Sequence, residues 1–282
     1  MRPRIERLAS GARRQKEEAM SNSADNHDGR TFRVERSRQV VLDVVRLARH
    51  VPAFPVERWF ELAELSEARK NCPRRISWLT LFVRAYGLAG RDIPQLRQAY
   101  SGFPFARLYQ SPNSVISVAV TREVDGVERL FFGRLRSPEE KSLAVIQQEL
   151  DELVRGDPRR AYRQQFQGER LPGILRRVLW WWRMNVSMSK RAKRVGTGSI
   201  SVLASLGVHN RLHPCMLTSS LSYGPLDEAG RCWVTLQCDH RVIDGVPGAR
   251  ALNRMHELLR GEILSELRAP TSSVVPHRDL NN

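Results

Sequence analysis

The chain has 282 residues, 41% of them hydrophobic and 27% charged, and a net charge of +16. It is long enough to bury a large core, and its composition is that of an ordinary globular protein. Its four cysteines form no CxxC pair, which argues against a zinc site or a disulfide framework. The sequence also shows neither a signal-peptide pattern nor an apolar run of bilayer-spanning length, so we expect a cytoplasmic protein.

The first half of the chain predicts helices and strands in alternation. Residues 1–35 are charged, polar and without sustained periodicity, so we expect a disordered tail. From Arg38, apolar residues at helical spacing predict an amphipathic helix that ends before Pro52. The run "AFPVERWFEL" predicts a strand leading into a second helix, and "RRISWLTLFVRAYGLAG" predicts a buried helix. Two strands, "VISVAVTR" and "VERLFFGRL", flank the turn "VDG".

The second half continues this mixture. The run "SPEEKSLAVIQQELDELVRG" predicts a helix with an N-cap and acids in its first turn. Strands are predicted at "GSISVLASLG", "CMLTSSLSYG" and "RCWVTLQCDH", and a helix follows the last of them. Since strands and helices mix without repeats or a linker, we expect one α/β domain at residues 36–268. The polar residues 269–282 are predicted to be a loose tail.

The positive charge is concentrated between Arg155 and Arg194, where twelve Lys or Arg accompany two acids, a balance of +10. Arginine predominates, and its guanidinium binds phosphates and other oxyanions bidentately. Three consecutive tryptophans, residues 180–182, stand beside arginines, as in helices that lie on anionic lipid. Alternatively, the tryptophans cap the core or line an acyl channel. Nucleic acid is not an expected partner, because these aromatic residues are clumped rather than spaced.

Titratable residues cluster where the last predicted strand meets the last predicted helix. The run "VTLQC" alternates apolar and polar residues, and "ALNRMHELL" repeats apolar residues at helical spacing. Asp239, His240 and Asp244 lie between the two, at a strand end that can hold side chains rigidly for chemistry. Successive strand side chains point to opposite faces, so Asp239 is expected to be structural and His240 functional.

The stretch "DHRVIDG" followed by a helix resembles the HxxxDG active-site motif of the acyltransferase subunits of 2-oxo acid dehydrogenase complexes. Those proteins share a fold and a mechanism with chloramphenicol acetyltransferase. The resemblance extends over about residues 36–268, through "ISWLTLFVRAYGLA", "SVISVAVTR" and "GTGSISVLASLG". It implies a chloramphenicol acetyltransferase-like, coenzyme A-dependent acyltransferase fold, with a mixed sheet flanked by helices. It also implies trimers, or multiples of trimers, whose active sites are shared between neighbouring subunits.

The resemblance assigns roles to residues of the motif. His240 would be the general base, since an imidazole titrates near neutrality and moves protons in both directions. Asp244 would organise the site through a salt bridge to an N-terminal arginine, for which Arg38 and Arg46 are both candidates. Gly245 would allow a tight backbone turn before the helix.

The family's oxyanion donor is a serine in a strand that ends near "SISVLASLG". Matching "SIS" places this donor at Ser201, whereas matching "SLG" places Ala204 there, which could not donate a hydrogen bond. We favour Ser201, although an ordinary strand serine is the alternative. Loss of such a donor typically costs about 3 kcal/mol of transition-state stabilisation.

The expected donor is a coenzyme A thioester, with neither a metal nor a covalent enzyme intermediate. Its phosphates could bind the late basic cluster of the chain, which consists of Lys190, Arg191, Lys193 and Arg194. No lipoyl-bearing segment is recognised in this sequence, so a stand-alone acyltransferase is the simplest reading. Its acceptor would be a thiol, hydroxyl or amine on a small or lipid-like molecule, and a peripheral contact with an anionic membrane is the further expectation.

Two alternatives stay open at the level of the sequence. The chain could be a lipoyl-dependent core subunit of a 2-oxo acid dehydrogenase-type complex, with the carrier domain on another polypeptide. It could also be a trimeric scaffold that has lost a working site.

Overall fold

The computed structural model describes residues 31–32 and 34–269. The described residues from Arg36 onward belong to one unit. Most of the two predicted tails, residues 1–35 and 269–282, lies outside the described residues, so their disorder stays a prediction. Within the part of the chain that is described, no helix combines the length and the apolar character needed to cross a bilayer.

Helices and strands follow one another along the chain. The helices are α1 (Arg36–Ala48), α2 (Ala63–Asn71), α3 (Trp78–Asp92), α4 (Leu143–Arg155), α5 (Pro158–Ala161), α6 (Arg163–Glu169), α7 (Gly173–Asn185), α8 (Met188–Arg194), α9 (Gly245–Arg260) and α10 (Glu262–Arg268). The strands are β1 (Ala53–Glu61), β2 (Gln98–Ser101), β3 (Arg107–Gln110), β4 (Val115–Val124), β5 (Val127–Arg136), β6 (Gly198–Ile200), β7 (Ser219–Tyr223) and β8 (Arg231–Asp239).

Six strands form one mixed sheet in the order β1–β8–β7–β6–β4–β5. The β4–β6 and β6–β7 pairs are parallel, and the other pairs of this sheet are antiparallel. β2 and β3 form a separate antiparallel pair. The hairpin between β4 and β5 turns at Asp125 and Gly126, whose φ angles of 56° and 74° are those an Asp-Gly turn readily adopts. The predicted α/β class with a mixed sheet and flanking helices is confirmed.

One face of the sheet packs against α3 and α9 to form the main core. α3 begins after Ser77, whose hydroxyl accepts a hydrogen bond from the backbone N–H of Thr80 at 3.1 Å. Alternate residues of β8 point into this core and are fully buried, namely Cys232, Val234, Leu236 and Cys238. The core therefore fixes β8, whose end carries the predicted active-site motif.

The opposite face of the sheet is polar near its centre. Register across the strands places side chains in two rows there: Ser199, Ser220 and Gln237 in one, and Ser222, Thr235 and Glu57 in the other. The irregular segment 201–217 lies against these rows, since its residues His209, Arg211 and His213 bond to them.

Two predicted elements are wrong in extent. The helix predicted at "SPEEKSLAV" begins only at Leu143, where the Ser142 hydroxyl accepts from the Val145 N–H, while Pro138–Glu140 form a separate 3₁₀ turn. The strand predicted at "GSISVLASLG" ends at Ile200, because the chain leaves the sheet and forms a 3₁₀ turn at Ala204–Leu206. The other predicted elements are confirmed within a few residues at their ends.

The four cysteines differ in exposure. Cys72, at the end of α2, is half-buried, whereas Cys215, Cys232 and Cys238 are buried. Burial raises the pKa of the Cys215 thiol to about 11 and those of Cys232 and Cys238 to about 12. All four are free thiols, so the fold depends on packing and hydrogen bonds rather than on disulfides.

Candidate active site

His240 is the first residue after β8. Its backbone N–H donates to the carbonyl of Pro52 at 3.0 Å, which ties it to the turn that leads into β1. Its ring packs against Phe54 of β1 with 4.9 Å between ring centroids. The side chain is nevertheless 61% exposed. The imidazole is therefore held on one side and open to an incoming molecule on the other.

Asp244 lies beside the His240 ring. Its Oδ1 is 3.1 Å from Nδ1 of His240, and it directly precedes the first residue of α9, Gly245. The prediction that Asp244 pairs with Arg38 or Arg46 is not met in the described part of the single chain. Arg46 lies 3.7 Å from Asp43 on its own helix, and no ion pair joins Arg38 to Asp244 among the described residues. Asp244 instead lies beside Nδ1 of the His240 imidazole, on the side away from Nε2.

Asp239 has the structural role predicted for it. It is buried, and its carboxylate accepts hydrogen bonds from the backbone N–H, Nε and Nη2 of Arg241 at 3.0, 2.9 and 2.7 Å. The Arg241 guanidinium stacks over the ring of Tyr100 at 4.6 Å. These contacts stabilise the turn that carries His240, so Asp239 helps to hold His240 in place without facing the substrate.

Ser201 follows β6 directly, and its Oγ accepts a hydrogen bond from Nδ2 of Asn210 at 3.4 Å. The register continues from Ile200 so that Ser201 stands level with Ser222 and Thr235. His240 is five residues beyond Thr235, which corresponds to roughly 16 Å along the strands at about 3.3 Å per residue. One chain therefore does not bring Ser201 and His240 together. The alternative position, Ala204, lies in the 3₁₀ turn that follows.

His213 was not singled out from the sequence, yet it lies near the His240 region. Its Nε2 is 2.7 Å from Oγ of Ser220, which is in turn 2.7 Å from Oγ of Ser199. Burial lowers the pKa of His213 below its usual value. A cavity of about 310 Å³ is lined by His213 together with Phe54, the ring that contacts His240. The run "HNRLHP" carries no periodicity, so its two histidines were the only signal.

A second polar network surrounds Glu57 of β1. The Glu57 carboxylate accepts hydrogen bonds from Nε of Arg211 and Oγ1 of Thr235, both at 2.7 Å. The Arg211 hydrogen bond is the largest cause of a lowered pKa for Glu57. His209 Nε2 lies 3.3 Å from the same Thr235 hydroxyl, and burial lowers the pKa of its imidazole. This network anchors the segment that follows Ser201.

The basic cluster predicted to bind phosphates divides into two kinds of residue. Arg191 is buried, and its guanidinium donates to the carbonyls of Tyr100 and Met216 at 2.9 and 3.2 Å. It therefore stabilises the packing of α8 and is not available to a ligand in this structure. Lys190, Lys193 and Arg194 are exposed, so their predicted role stays a prediction. Within residues 31–32 and 34–269, no cluster of three or more metal-ligating side chains occurs.

The three tryptophans lie on α7. Trp180 is half-buried, while Trp181 and Trp182 are exposed on the outer side of the helix. The ring of Trp181 meets Phe103 edge to face at 5.3 Å, and Nζ of Lys190 lies 5.2 Å from the Trp182 ring centre. One tryptophan thus packs inward and two face out, and contact with lipid stays a prediction.

The sequence matches no family model and no curated protein sequence. Solved structures nevertheless share its fold. The probable dihydrolipoamide acetyltransferase of Listeria monocytogenes superposes with a TM-score of 0.60 at 14% identity, covering 84% of this chain and 97% of that chain.

The dihydrolipoamide acetyltransferase of Azotobacter vinelandii also gives a TM-score of 0.60, at 16% identity, covering 86% of this chain and 95% of that one. The cubic core of the pyruvate dehydrogenase multienzyme complex gives 0.58 at 16% identity, covering 87% and 96%. Over more than four fifths of its length, the chain therefore has the fold of the catalytic cores of dihydrolipoamide acetyltransferases.

Proposed function

We propose that this protein is an acyltransferase that moves an acyl group from a thioester to a thiol, hydroxyl or amine acceptor. The observation that carries the proposal is the exposed His240 imidazole at the end of β8, with Asp244 at 3.1 Å, in a fold shared with acetyltransferase cores. The work on the Azotobacter vinelandii enzyme concerns a serine, a histidine and an asparagine four positions after the histidine. Asp244 stands at that same spacing from His240.

The proposed mechanism is direct transfer between two bound substrates. Nε2 of His240 takes the proton of the acceptor as its heteroatom attacks the thioester carbonyl. The hydroxyl of Ser201 donates a hydrogen bond to the resulting oxyanion. When the carbon–sulfur bond breaks, the leaving thiolate receives the proton back from the imidazolium. Asp244 lies against the Nδ1 side of the ring, so that Nε2 faces the substrates.

This mechanism requires two copies of the chain. Ser201 and His240 are separated by roughly 16 Å along the strands of one sheet, too far to act on one carbonyl. We therefore propose a homotrimer, or a multiple of trimers, in which His240 of one subunit faces the Ser201 region of the next. The cubic core among the similar structures supports an assembly built from repeated copies.

The proposed donor is acyl-coenzyme A. Its phosphates need cations, and the exposed Lys190, Lys193 and Arg194 at the end of α8 would supply them. Dihydrolipoamide is the candidate acyl acceptor, because the similar structures are named as dihydrolipoamide acetyltransferases. In that case the lipoyl carrier would be presented by another polypeptide.

Incubation with acetyl- and longer acyl-coenzyme A, followed by measurement of free thiol, tests the proposal. One series contains small alcohol and amine acceptors, and a second contains dihydrolipoamide, in which the acylated product is quantified. His240→Ala should abolish turnover in every series, whereas His50→Ala, which changes an exposed histidine before β1, should not. Equal turnover by the His240→Ala variant would refute the mechanism.

A peripheral membrane contact belongs to the same proposal, for a protein that otherwise resides in the cytoplasm. The outer side of α7 exposes Ile174 and Val178 along with Trp181 and Trp182, and basic residues flank it. Apolar and aromatic side chains beside cations favour an anionic lipid surface. Flotation with phosphatidylglycerol vesicles tests this contact. Ile174→Ser should reduce the floated fraction, and vesicles of neutral lipid should carry less protein.

A further inference from the structure

A cavity of about 400 Å³ lies between strands β4 and β5 of the sheet and helices α1 and α7. The strand order places it at the β4–β5 edge, whereas Phe54 and His240 belong to the opposite edge, beside β1. Its volume is within the range of small-molecule sites in proteins. Of the residues that line this cavity, the proposed acyl transfer uses only Arg194, as one of the cations offered to the coenzyme phosphates.

Much of the cavity wall is apolar. It is formed by side chains from α1, β5 and α7 and from the turn before α7: Val40, Val44, Phe132, Leu171, Leu179 and Trp180. Such a wall accommodates a hydrocarbon chain or ring by the ordinary hydrophobic effect.

The charged part of the lining is entirely cationic. Arg134, Arg176, Arg183 and Arg194 line the cavity, and no Asp or Glu is among its lining residues. Arg176 is neutralised by its ion pair with Asp43. Arg134, Arg183 and Arg194 form no ion pair with an acid in the described part of the chain. Arg134 instead donates to the carbonyl of Arg194 at 2.7 Å, which brings these two residues next to each other.

The surroundings of two of these arginines disfavour their charge. Burial, and then the neighbouring Arg136, lower the pKa of Arg134. Burial, and then the neighbouring Arg194, lower the pKa of Arg183. Positive charges that are partly desolvated and repel one another are stabilised when an anion enters between them. The cavity thus presents to an entering anion cations that no acidic side chain of its lining neutralises.

We propose that this cavity binds an amphiphilic anion, with a phosphate or carboxylate head on Arg134, Arg183 and Arg194 and an apolar body against Leu179 and Trp180. The guanidinium groups suit an oxyanion because each can donate two parallel hydrogen bonds. The site is separate from His240 and does not rest on the proposed acyl transfer.

Dodecyl phosphate below its micelle-forming concentration is the probe, and the His240→Ala variant is the protein, so that acyl transfer has no part in the result. Thermal unfolding and tryptophan fluorescence are measured against probe concentration. Dodecyl phosphate is expected to raise Tm and to change the fluorescence, because Trp180 lines the cavity. Inorganic phosphate and dodecanol, each supplying half of the ligand, are expected to do far less.

Substitutions then locate the site. Arg183→Gln and Arg134→Gln should each weaken dodecyl phosphate binding at least about tenfold, because a charge-assisted hydrogen bond is lost. Arg183→Gln should not lower Tm of the free protein, since it removes a cation without an acidic partner. Arg134→Gln also removes the hydrogen bond to the Arg194 carbonyl, so its effect is judged from the affinity for dodecyl phosphate and not from Tm. Arg177→Gln, on the exposed side of the same helix, is the matched control and should bind like the parent.

Unchanged affinity in both the Arg183→Gln and Arg134→Gln variants would overturn the proposal. Equal stabilisation by inorganic phosphate alone would reduce the site to a plain anion site and contradict the apolar half of the inference. Equal stabilisation by dodecanol would contradict the cationic half. Circular dichroism of each variant shows whether it is folded, so that a loss of affinity is not mistaken for unfolding. If one arginine variant fails to fold, the other still tests the proposal.

Discussion

Ser201 stands level with Thr235 of β8, and His240 follows Thr235 by five residues, directly after the end of that strand. Within one subunit, the serine and the histidine assigned to the same reaction are therefore separated along the strand direction. A catalytic pair can still form if the end of β8 in one copy meets the segment after β6 in another. The proposed activity is consequently a property of the assembly rather than of a single chain.

Mixed assemblies test this arrangement directly. Subunits with His240→Ala and subunits with Ser201→Ala are each expected to have low activity alone. When the two are dissociated, mixed and reassembled, some sites combine an intact His240 with an intact Ser201, so activity should reappear. Simple mixing without dissociation is the control. If the reassembled mixture shows no more activity than its components, sharing of the site between subunits is wrong.

Ser201→Ala should lower kcat by about a hundredfold, since one donor to the oxyanion is lost, and should leave KM nearly unchanged. Steady-state kinetics with a thioester donor provide the measurement. Ser205→Ala, which changes an exposed serine in the following 3₁₀ turn, serves as the comparison and should keep the parent kcat. If Ser205→Ala lowered kcat more than Ser201→Ala, the assignment of the oxyanion donor to Ser201 would be wrong.

The buried ion pair between Arg176 and Asp43 joins α7 to α1 across 133 positions of sequence. Arg176→Ala leaves the Asp43 carboxylate buried without this partner and should cost about 3 kcal/mol of unfolding free energy or more. Urea unfolding followed by circular dichroism measures the loss. The double variant Asp43→Leu with Arg176→Met should recover most of it, because no unpaired charge remains.

The control for the ion pair is Arg177→Ala, the adjacent exposed arginine, which should change the unfolding free energy by no more than about 0.5 kcal/mol. A double variant that is no more stable than Arg176→Ala would show that the pair contributes something other than charge compensation.

Stability should fall when the solution becomes mildly acidic. Burial holds the pKa values of His209, His213 and His256 below their ordinary value of 6.5, so the unfolded chain binds protons more readily than the folded one. The stabilisation that these three histidines give the folded state is complete above about pH 7. It is lost as pH falls through their ordinary pKa of 6.5 towards the lowered pKa values of the folded protein. The free energy of unfolding should therefore rise with pH across this window.

Urea unfolding at several pH values measures this slope. His213→Gln should reduce it, because one proton-linked group is removed, while His50→Gln at an exposed position should leave it as it was. An identical slope in the His213→Gln variant would mean that the proton is taken up elsewhere. The carboxylate of Glu57 acts in a separate and more acidic window, since its lowered pKa lies below its ordinary value of 4.5.

The sequence predicts local features of the site well. The alternation before Asp239 defines the strand, and the helical spacing of apolar residues after Gly245 defines α9. Each of these follows from periodicity within a short stretch, and the resemblance of the motif then indicates the fold.

Features that depend on distant contacts could not be read in this way. Arg191 appears in the sequence as one of a run of cations, and only the carbonyls of Tyr100 and Met216 around it make it a structural residue. His213 comes from a segment without periodicity, and its partner Ser220 is defined by sheet register. The cavity beside α7 likewise needs α1 and β5, which are far from it in sequence.

The unequal exposure of the cysteines has a practical consequence. A maleimide dye applied to the undenatured protein should attach at Cys72, because the other three thiols are shielded and resist ionisation. The chain thus carries a natural labelling position at the end of α2, without any engineered substitution. Energy transfer between dyes on separate copies would then follow their association in real time.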